Sequence, residues 1–179
     1  SIMRRIPLRF TFDNNYFNER YQGIPIGGYT RVIEKMLANC RVELSTDFFS
    51  DRRYFLRLAD LVVFTGQIDE YYEYCFGPLG YRSLRFEHEV LQTDNYQGVA
   101  VVNYTDRETP YTRVIEHKHF EFGSQGCTVI SREYPQDWEI GIEPYYPMED
   151  KDNLFKYSLY KQKSMLEDNV RFGGRLGEY

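Results

Sequence analysis

The run Arg82-Ser-Leu-Arg-Phe-Glu-His-Glu-Val-Leu91 decides how the middle of this chain folds. Leu84, Phe86, His88 and Val90 fall on one side of it, and Arg85, Glu87 and Glu89 on the other. A period of two is the signature of an extended strand whose two faces meet different surroundings. The alternation continues to Tyr134. Val99, Val101 and Asn103 share a side, Tyr111, Arg113, Ile115 and His117 share another, and Cys127 to Tyr134 repeats the theme. Turn residues interrupt the runs at Asn95, at Asp106 and Pro110, and from Gly123 to Gly126. Breaks at hairpin-like spacing predict an antiparallel meander.

Outside this centre the period changes. Pro7 to Phe12 reads as an extended segment, and Asp13-Asn-Asn15 as a turn. After Gly27-Gly28, the residues Tyr29, Val32, Ile33, Met36 and Leu37 recur at helical spacing, ending near Asn39. Val42 and Leu44 predict a short strand, Leu61-Val-Val-Phe64 a fully buried one, and Ile68 to Phe76 a short helix. A longer helix is predicted over Asp152 to Asp168 with Phe155, Leu159 and Leu166 inward. Val170-Arg-Phe172 reads as a last strand leading into Gly173-Gly174, and a further helix could begin at Arg175. The fold class is therefore α+β: a largely antiparallel sheet flanked by helices, with strand–helix pieces at both ends.

The chain has 179 residues, 42% hydrophobic and 27% charged, with a net charge of -5. That is one domain's worth of chain with enough apolar matter for a core. The acidic balance argues against a general nucleic-acid binder, which needs a basic surface. No apolar run is long enough to span a membrane. Cys40, Cys75 and Cys127 are far apart and odd in number, which reads as reduced thiols in a cytoplasmic protein. No signal peptide is visible, and neither terminus resembles a natural boundary, so an excised fragment is expected. Tyrosine is abundant, 17 residues beside 13 Phe and one Trp. Its flat ring with a polar tip suits wet clefts as well as cores.

No glycine fingerprint for a dinucleotide and no phosphate-binding Walker loop occurs. His117 and His119 are spaced by two with Glu116 adjacent, which makes a metal site conceivable, but a structural or surface role is the stronger reading. More informative are arginines on strands. Asn103 and Arg113 lie on adjacent predicted strands, with Arg82 on another. A guanidinium in a sheet face destabilises it unless it is paired or reaches a cleft. It can grip an anionic diphosphate through bidentate contacts, or simply pair with Glu87, Glu89 or Glu116. Gly173-Gly174-Arg175 could let backbone approach a phosphate or a flavin ring, or be a plain turn.

Four strings change those odds. They are Asn15-Tyr-Phe-Asn-Glu-Arg-Tyr-Gln-Gly-Ile-Pro25, Gly80-Tyr-Arg-Ser-Leu-Arg-Phe-Glu87, Val102-Asn-Tyr-Thr-Asp-Arg-Glu-Thr-Pro-Tyr-Thr-Arg-Val-Ile-Glu-His-Lys-His-Phe120, and Glu143-Pro-Tyr-Tyr-Pro147 followed by Phe172-Gly-Gly-Arg-Leu176. In this order and spacing the chain resembles the bacterial UDP-galactopyranose mutases, without their N-terminal flavin-binding βαβ unit. The resemblance implies an isomerase that interconverts UDP-galactopyranose and UDP-galactofuranose for cell-surface polysaccharide, using reduced FAD and a covalent flavin–sugar adduct. It implies that the chain supplies most of the substrate-binding part, with most of the FAD site elsewhere, and is inactive alone. A full-length homo-oligomer is expected. Implied segments are 1–21, the end of a mobile loop and an entry strand; 22–67, a return of the FAD-binding domain; 68–150, the substrate sheet; and 151–179, a second return.

Carried onto this sequence, the resemblance makes Arg113 a fixed diphosphate-binding arginine and Arg5 the arginine of the mobile loop. Tyr16 and Tyr146 become tyrosines that hydrogen-bond phosphates, Asn103 a substrate-pocket residue and Arg82 a motif arginine. Gly173, Gly174 and Arg175 meet the flavin. No catalytic side chain and no metal ligand is implied, since the flavin carries the covalent step. The competing expectation is a flavin-free module that binds a nucleotide-diphosphate sugar without chemistry.

Overall fold

The computed structural model describes residues 19–179, so Arg5 and Tyr16 lie outside the described residues. The chain divides into two units, residues 1–42 and 43–179. Each is described by itself.

In the first unit, α1 spans Tyr29–Met36. Gly27 and Gly28 precede it with φ of 81° and 85°, a left-handed backbone that a side chain would strain. The helical period holds, but Tyr29, Val32, Ile33 and Met36 are all exposed.

The strand predicted at Val42 and Leu44 does not form; neither Val42, the last residue of the first unit, nor Leu44 in the second is in a strand, and both are exposed. Two capping aspartates then start two short helical turns. Asp47 accepts from Phe49 N at 2.9 Å to open a 3-10 turn over Phe48–Asp51. Asp51 accepts from Tyr54 N at 3.1 Å to open α2, Arg52–Phe55.

Strand β1, Val62–Phe64, runs parallel to a strand from the far end of the chain, and α3 follows at Ile68–Tyr71. The long β2, Tyr81–Leu91, lies between β5, Thr128–Asp137, and the two-residue β6, Tyr146–Pro147. With β3, Val101–Asn103, and β4, Arg113–Glu116, the antiparallel sheet has the order β3-β4-β5-β2-β6. Strands β3, β4 and β5 form a meander as expected, but β2 pairs with β5 instead of β3. The chain thus crosses over between β2 and β3, and the meander does not extend back to Arg82; the fold is α+β. Next come α4, Lys151–Ser164, then β7, Val170–Phe172, the parallel partner of β1, and finally α5, Gly174–Gly177.

The core sits where α3, α4 and the β1–β7 pair meet the base of the sheet. Phe64, Ile68, Tyr71, Tyr72, Leu79, Tyr81, Tyr160 and Val170 are buried there. Tyrosine serves as a core residue because its hydroxyl finds partners. Tyr160 accepts from Phe76 N at 3.1 Å and donates to the Gly77 carbonyl at 2.8 Å. Tyr81 donates to Asp69 Oδ1 at 3.1 Å, and the same carboxylate accepts from Leu79 N at 2.8 Å. Burial raises the Asp69 pKa against those hydrogen bonds.

Several expectations need correction. In Leu61-Val-Val-Phe64 only Phe64 is buried, because the parallel sheet has two strands and Leu61 and Val63 turn to solvent. The helix read over Ile68 to Phe76 is regular only to Tyr71, after which Glu73 and Tyr74 take positive φ. The helix read over Asp152 to Asp168 ends at Ser164; in α4 the buried side chains are Asn153 and Tyr160, whereas Phe155 is exposed, as is Leu166 beyond the helix end. Hydrogen-bonding demand overrides hydropathy there: Asn153 Oδ1 accepts from Gly80 N at 2.8 Å.

Candidate functional site

Cross-strand pairing puts Asn103, Arg113, Glu133 and Phe86 in one row across β3, β4, β5 and β2. Paired residues share a face, and alternate residues along each strand do too. Arg82 is four residues before Phe86, so it belongs to the same face, and Tyr146 is paired with it. The four sequence-identified sheet residues within the described range therefore point to one side of one sheet.

They form two groups on it. In the first, Arg113 Nε donates to Asn103 Oδ1 at 2.9 Å, and its Nη1 lies 3.3 Å from Glu133 Oε2. Glu133 is nearly buried, while the Arg113 side chain keeps 41% of its surface exposed. The guanidinium is thus held on two sides with donors still open to solvent, an orientation in which a guanidinium can meet an anion. The pairing expected with Glu87, Glu89 or Glu116 is not what occurs. Glu87 pairs with Arg85, Glu89 with Arg132, and Glu116 lies 3.0 Å from His119.

The second group lies at β6. Arg175 Nη1 donates to the Tyr145 carbonyl at 3.1 Å, and its guanidinium sits 5.2 Å from the centre of the Tyr146 ring. Tyr146, Gly174, Arg175 and Tyr179 border an open groove of about 490 Å³ together with Pro147, Glu149 and Glu178. Gly174 has a φ of 74°, and Gly173 and Gly174 follow β7 at the same end of the parallel pair as Thr65-Gly66 after β1. A β-carbon on Gly177 would stand 3.1 Å from the Phe64 carbonyl, so the chain after the turn packs backbone on backbone. The carboxyl ends of parallel strands with a glycine turn are where a flat, phosphate-bearing cofactor fits such a sheet. Gly173, Gly174 and Arg175 meet that requirement.

The structure does not merge the groups. Arg113 and Arg82 are two strands and four residues apart, on the order of 15 Å by strand spacings. Glu133 escaped the sequence reading: its alternation was visible in Arg132-Glu-Tyr134, but the register that sets it beside Arg113 depends on loop lengths. His117 and His119 do not form a pair, since His117 turns to Ser131 and His119 to Glu116. Among the described residues no cluster of three or more metal-ligating side chains occurs. The three cysteines are free, and no described helix is long and apolar enough to cross a membrane.

Fold and site together define an α+β protein with a guanidinium-bearing sheet face and a glycine turn after its parallel strand pair. A family model described as UDP-galactopyranose mutase matches residues 1–179, and the chain belongs to that family. It is 40% identical to a probable UDP-galactopyranose mutase of Klebsiella pneumoniae, 36% to a dTDP-fucopyranose mutase of Escherichia coli, and 31% to a UDP-galactopyranose mutase of Mycoplasma pneumoniae. All of this chain aligns with each, covering 46%, 49% and 49% of their lengths. The chain thus spans about half the length of these curated relatives.

Proposed function

We propose that this chain is the substrate-gripping half of a flavin-dependent isomerase that interconverts UDP-galactopyranose and UDP-galactofuranose. One observation carries the reading: Arg113 is braced between Asn103 and Glu133 with donors left open on the sheet face. In this reading Arg113 neutralises the pyrophosphate as it departs from the sugar and holds it for return, an electrostatic task suited to a preplaced cation. Asn103 fixes the guanidinium plane and offers its amide to the sugar. Tyr146 and Arg82 contact the ligand at the other end of the face. Arg5, as the arginine of the mobile loop, and Tyr16, as a tyrosine that hydrogen-bonds the phosphates, complete this reading from outside the described residues.

Bound FAD, gripped in part by Gly173, Gly174 and Arg175, supplies the nucleophile for the anomeric carbon. The residues of this chain orient the nucleotide sugar and keep the pyrophosphate at hand between bond breaking and bond making. Segments 22–67 and 151–179 belong to the flavin-binding part, and 68–150 to the substrate part.

The relatives' names join two nucleotides to two pyranoses, and a diphosphate is what these ligands share. The Arg113 contact serves either ligand, so turnover of UDP-galactopyranose against dTDP-fucopyranose decides which sugar nucleotide is native. The central test is Arg113→Ala in the full-length protein. Turnover should fall by roughly 100-fold or more with flavin still bound, the scale of losing one preplaced charge contact. Near-normal turnover would remove Arg113 from the site. A colourless full-length protein that binds UDP without isomerising it would favour the flavin-free module.

A further inference from the structure

On the same sheet face, beyond the Arg113 row, two histidines converge on one atom. His88 on β2 places Nδ1 2.6 Å from Ser131 Oγ, and His117, just past β4, places Nε2 2.6 Å from the same oxygen. Ser131 is 1% exposed, whereas both histidines are exposed at the surface. A serine hydroxyl has one proton, so it can satisfy only one of two bare imidazole nitrogens, and the other ring must turn an N–H toward it. The arrangement is two ring nitrogens within about 5 Å of each other, one from β2 and one from the turn that follows β4, both rings exposed and both converging on one position of β5.

We infer that His88 and His117 form a two-point site for a divalent transition-metal ion of the zinc, nickel or copper class, with water completing the shell. Neutral imidazole is the preferred ligand of such ions, whereas magnesium and calcium prefer oxygen. Rotation of Ser131 about its single side-chain torsion clears the place its hydroxyl fills between the rings. The ring that had donated N–H moves that proton to its other nitrogen, so both nitrogens present lone pairs without loss of charge balance. Burial, and secondly the charge of His88, lowers the His117 pKa, which favours its neutral, ligating form. Glu133, two residues along β5 on this face, is engaged by Arg113 and stays out of the shell. His119, the sequence neighbour, points to Glu116 and is excluded. A bound ion would clip β2 to the end of β4 across β5.

Nickel binding to the full-length protein in excess magnesium, followed calorimetrically and by thermal unfolding, tests this. The wild type should bind one more Ni²⁺ than a His88→Asn/His117→Gln double variant, whose amides can still bond Ser131, and should melt higher when loaded. Each single variant should weaken that site by at least ~10-fold, and His119→Gln should leave it unchanged. Equal Ni²⁺ uptake by wild type and double variant, or loss in His119→Gln, overturns the proposal. X-ray absorption on the loaded wild type gives an answer independent of variant folding: the added ion should show two imidazole nitrogens, and one or none refutes the site.

Discussion

At the scale of single residues, buried carboxylates show how local context sets charge. Glu116 is fully buried, and its two oxygens accept from Tyr96 N at 3.0 Å and Gln97 N at 2.9 Å. Burial works to raise its pKa, but the Gln97 and Tyr96 amides, together with the Thr128 and His119 side chains, outweigh it and hold the carboxyl down at about 2. A depressed carboxyl stabilises the fold when ionised. Its contribution is complete above the ordinary glutamate value near 4.5 and is lost as pH falls from there through about 2. Glu116→Gln should therefore lower stability at neutral pH and flatten the acid side of the stability curve, measured by denaturant unfolding between pH 7 and pH 2. An unchanged acid limb would mean that other groups govern it. The alternating run around Glu116 was legible, although the sequence reading offered Glu116 as a partner for a strand arginine and not as a buried group. The loop amides that meet it were not legible, because those contacts join Asn95-Tyr-Gln97 to β4 through tertiary structure.

At the scale of elements, α4 is instructive. Its start is local chemistry: Asp150 accepts from Asn153 N at 2.9 Å and from Asn153 Nδ2 at 2.7 Å. Asp150→Ala should cost about 1 kcal/mol as a lost cap, with more if Asn153 then releases the Gly80 amide; thermal melts read the sum. The inward face is not local chemistry. Leucine and phenylalanine spacing selected Phe155, Leu159 and Leu166, yet the neighbours of α4 offer hydrogen-bonding backbone at Phe76, Gly77 and Gly80, which selects Asn153 and Tyr160. Phe155→Ser and Leu166→Ser should change stability by no more than about 0.5 kcal/mol, as exposed positions do. A loss several times larger in either would show that the residue is covered. The strands were more legible than the helices, since alternation is read within one strand, whereas the buried face of a helix depends on what packs against it.

At the scale of the whole molecule, the β1–β7 pair stands out. Parallel strands are ordinarily buried on both faces, but here the sheet has two strands with Leu61 53% and Val63 64% exposed. The chain in isolation should self-associate through this surface, and Leu61→Lys with Val63→Lys should return it toward a monomer in light scattering. A wild-type chain that elutes as a clean monomer would refute this. Taken alone, the sequence determined the α+β class, the antiparallel strands, the glycine turns and the residue types suited to a pyrophosphate, because period, turn chemistry and charge are local properties. Only the tertiary structure decided that β2 joins β5, that Asn103 and Glu133 brace Arg113, that Tyr146 pairs with Arg82 and meets Arg175 apart from them, and that His117 faces His88 instead of His119. Register and packing bring distant residues together through the closing of loops, and no local pattern encodes where a loop will close.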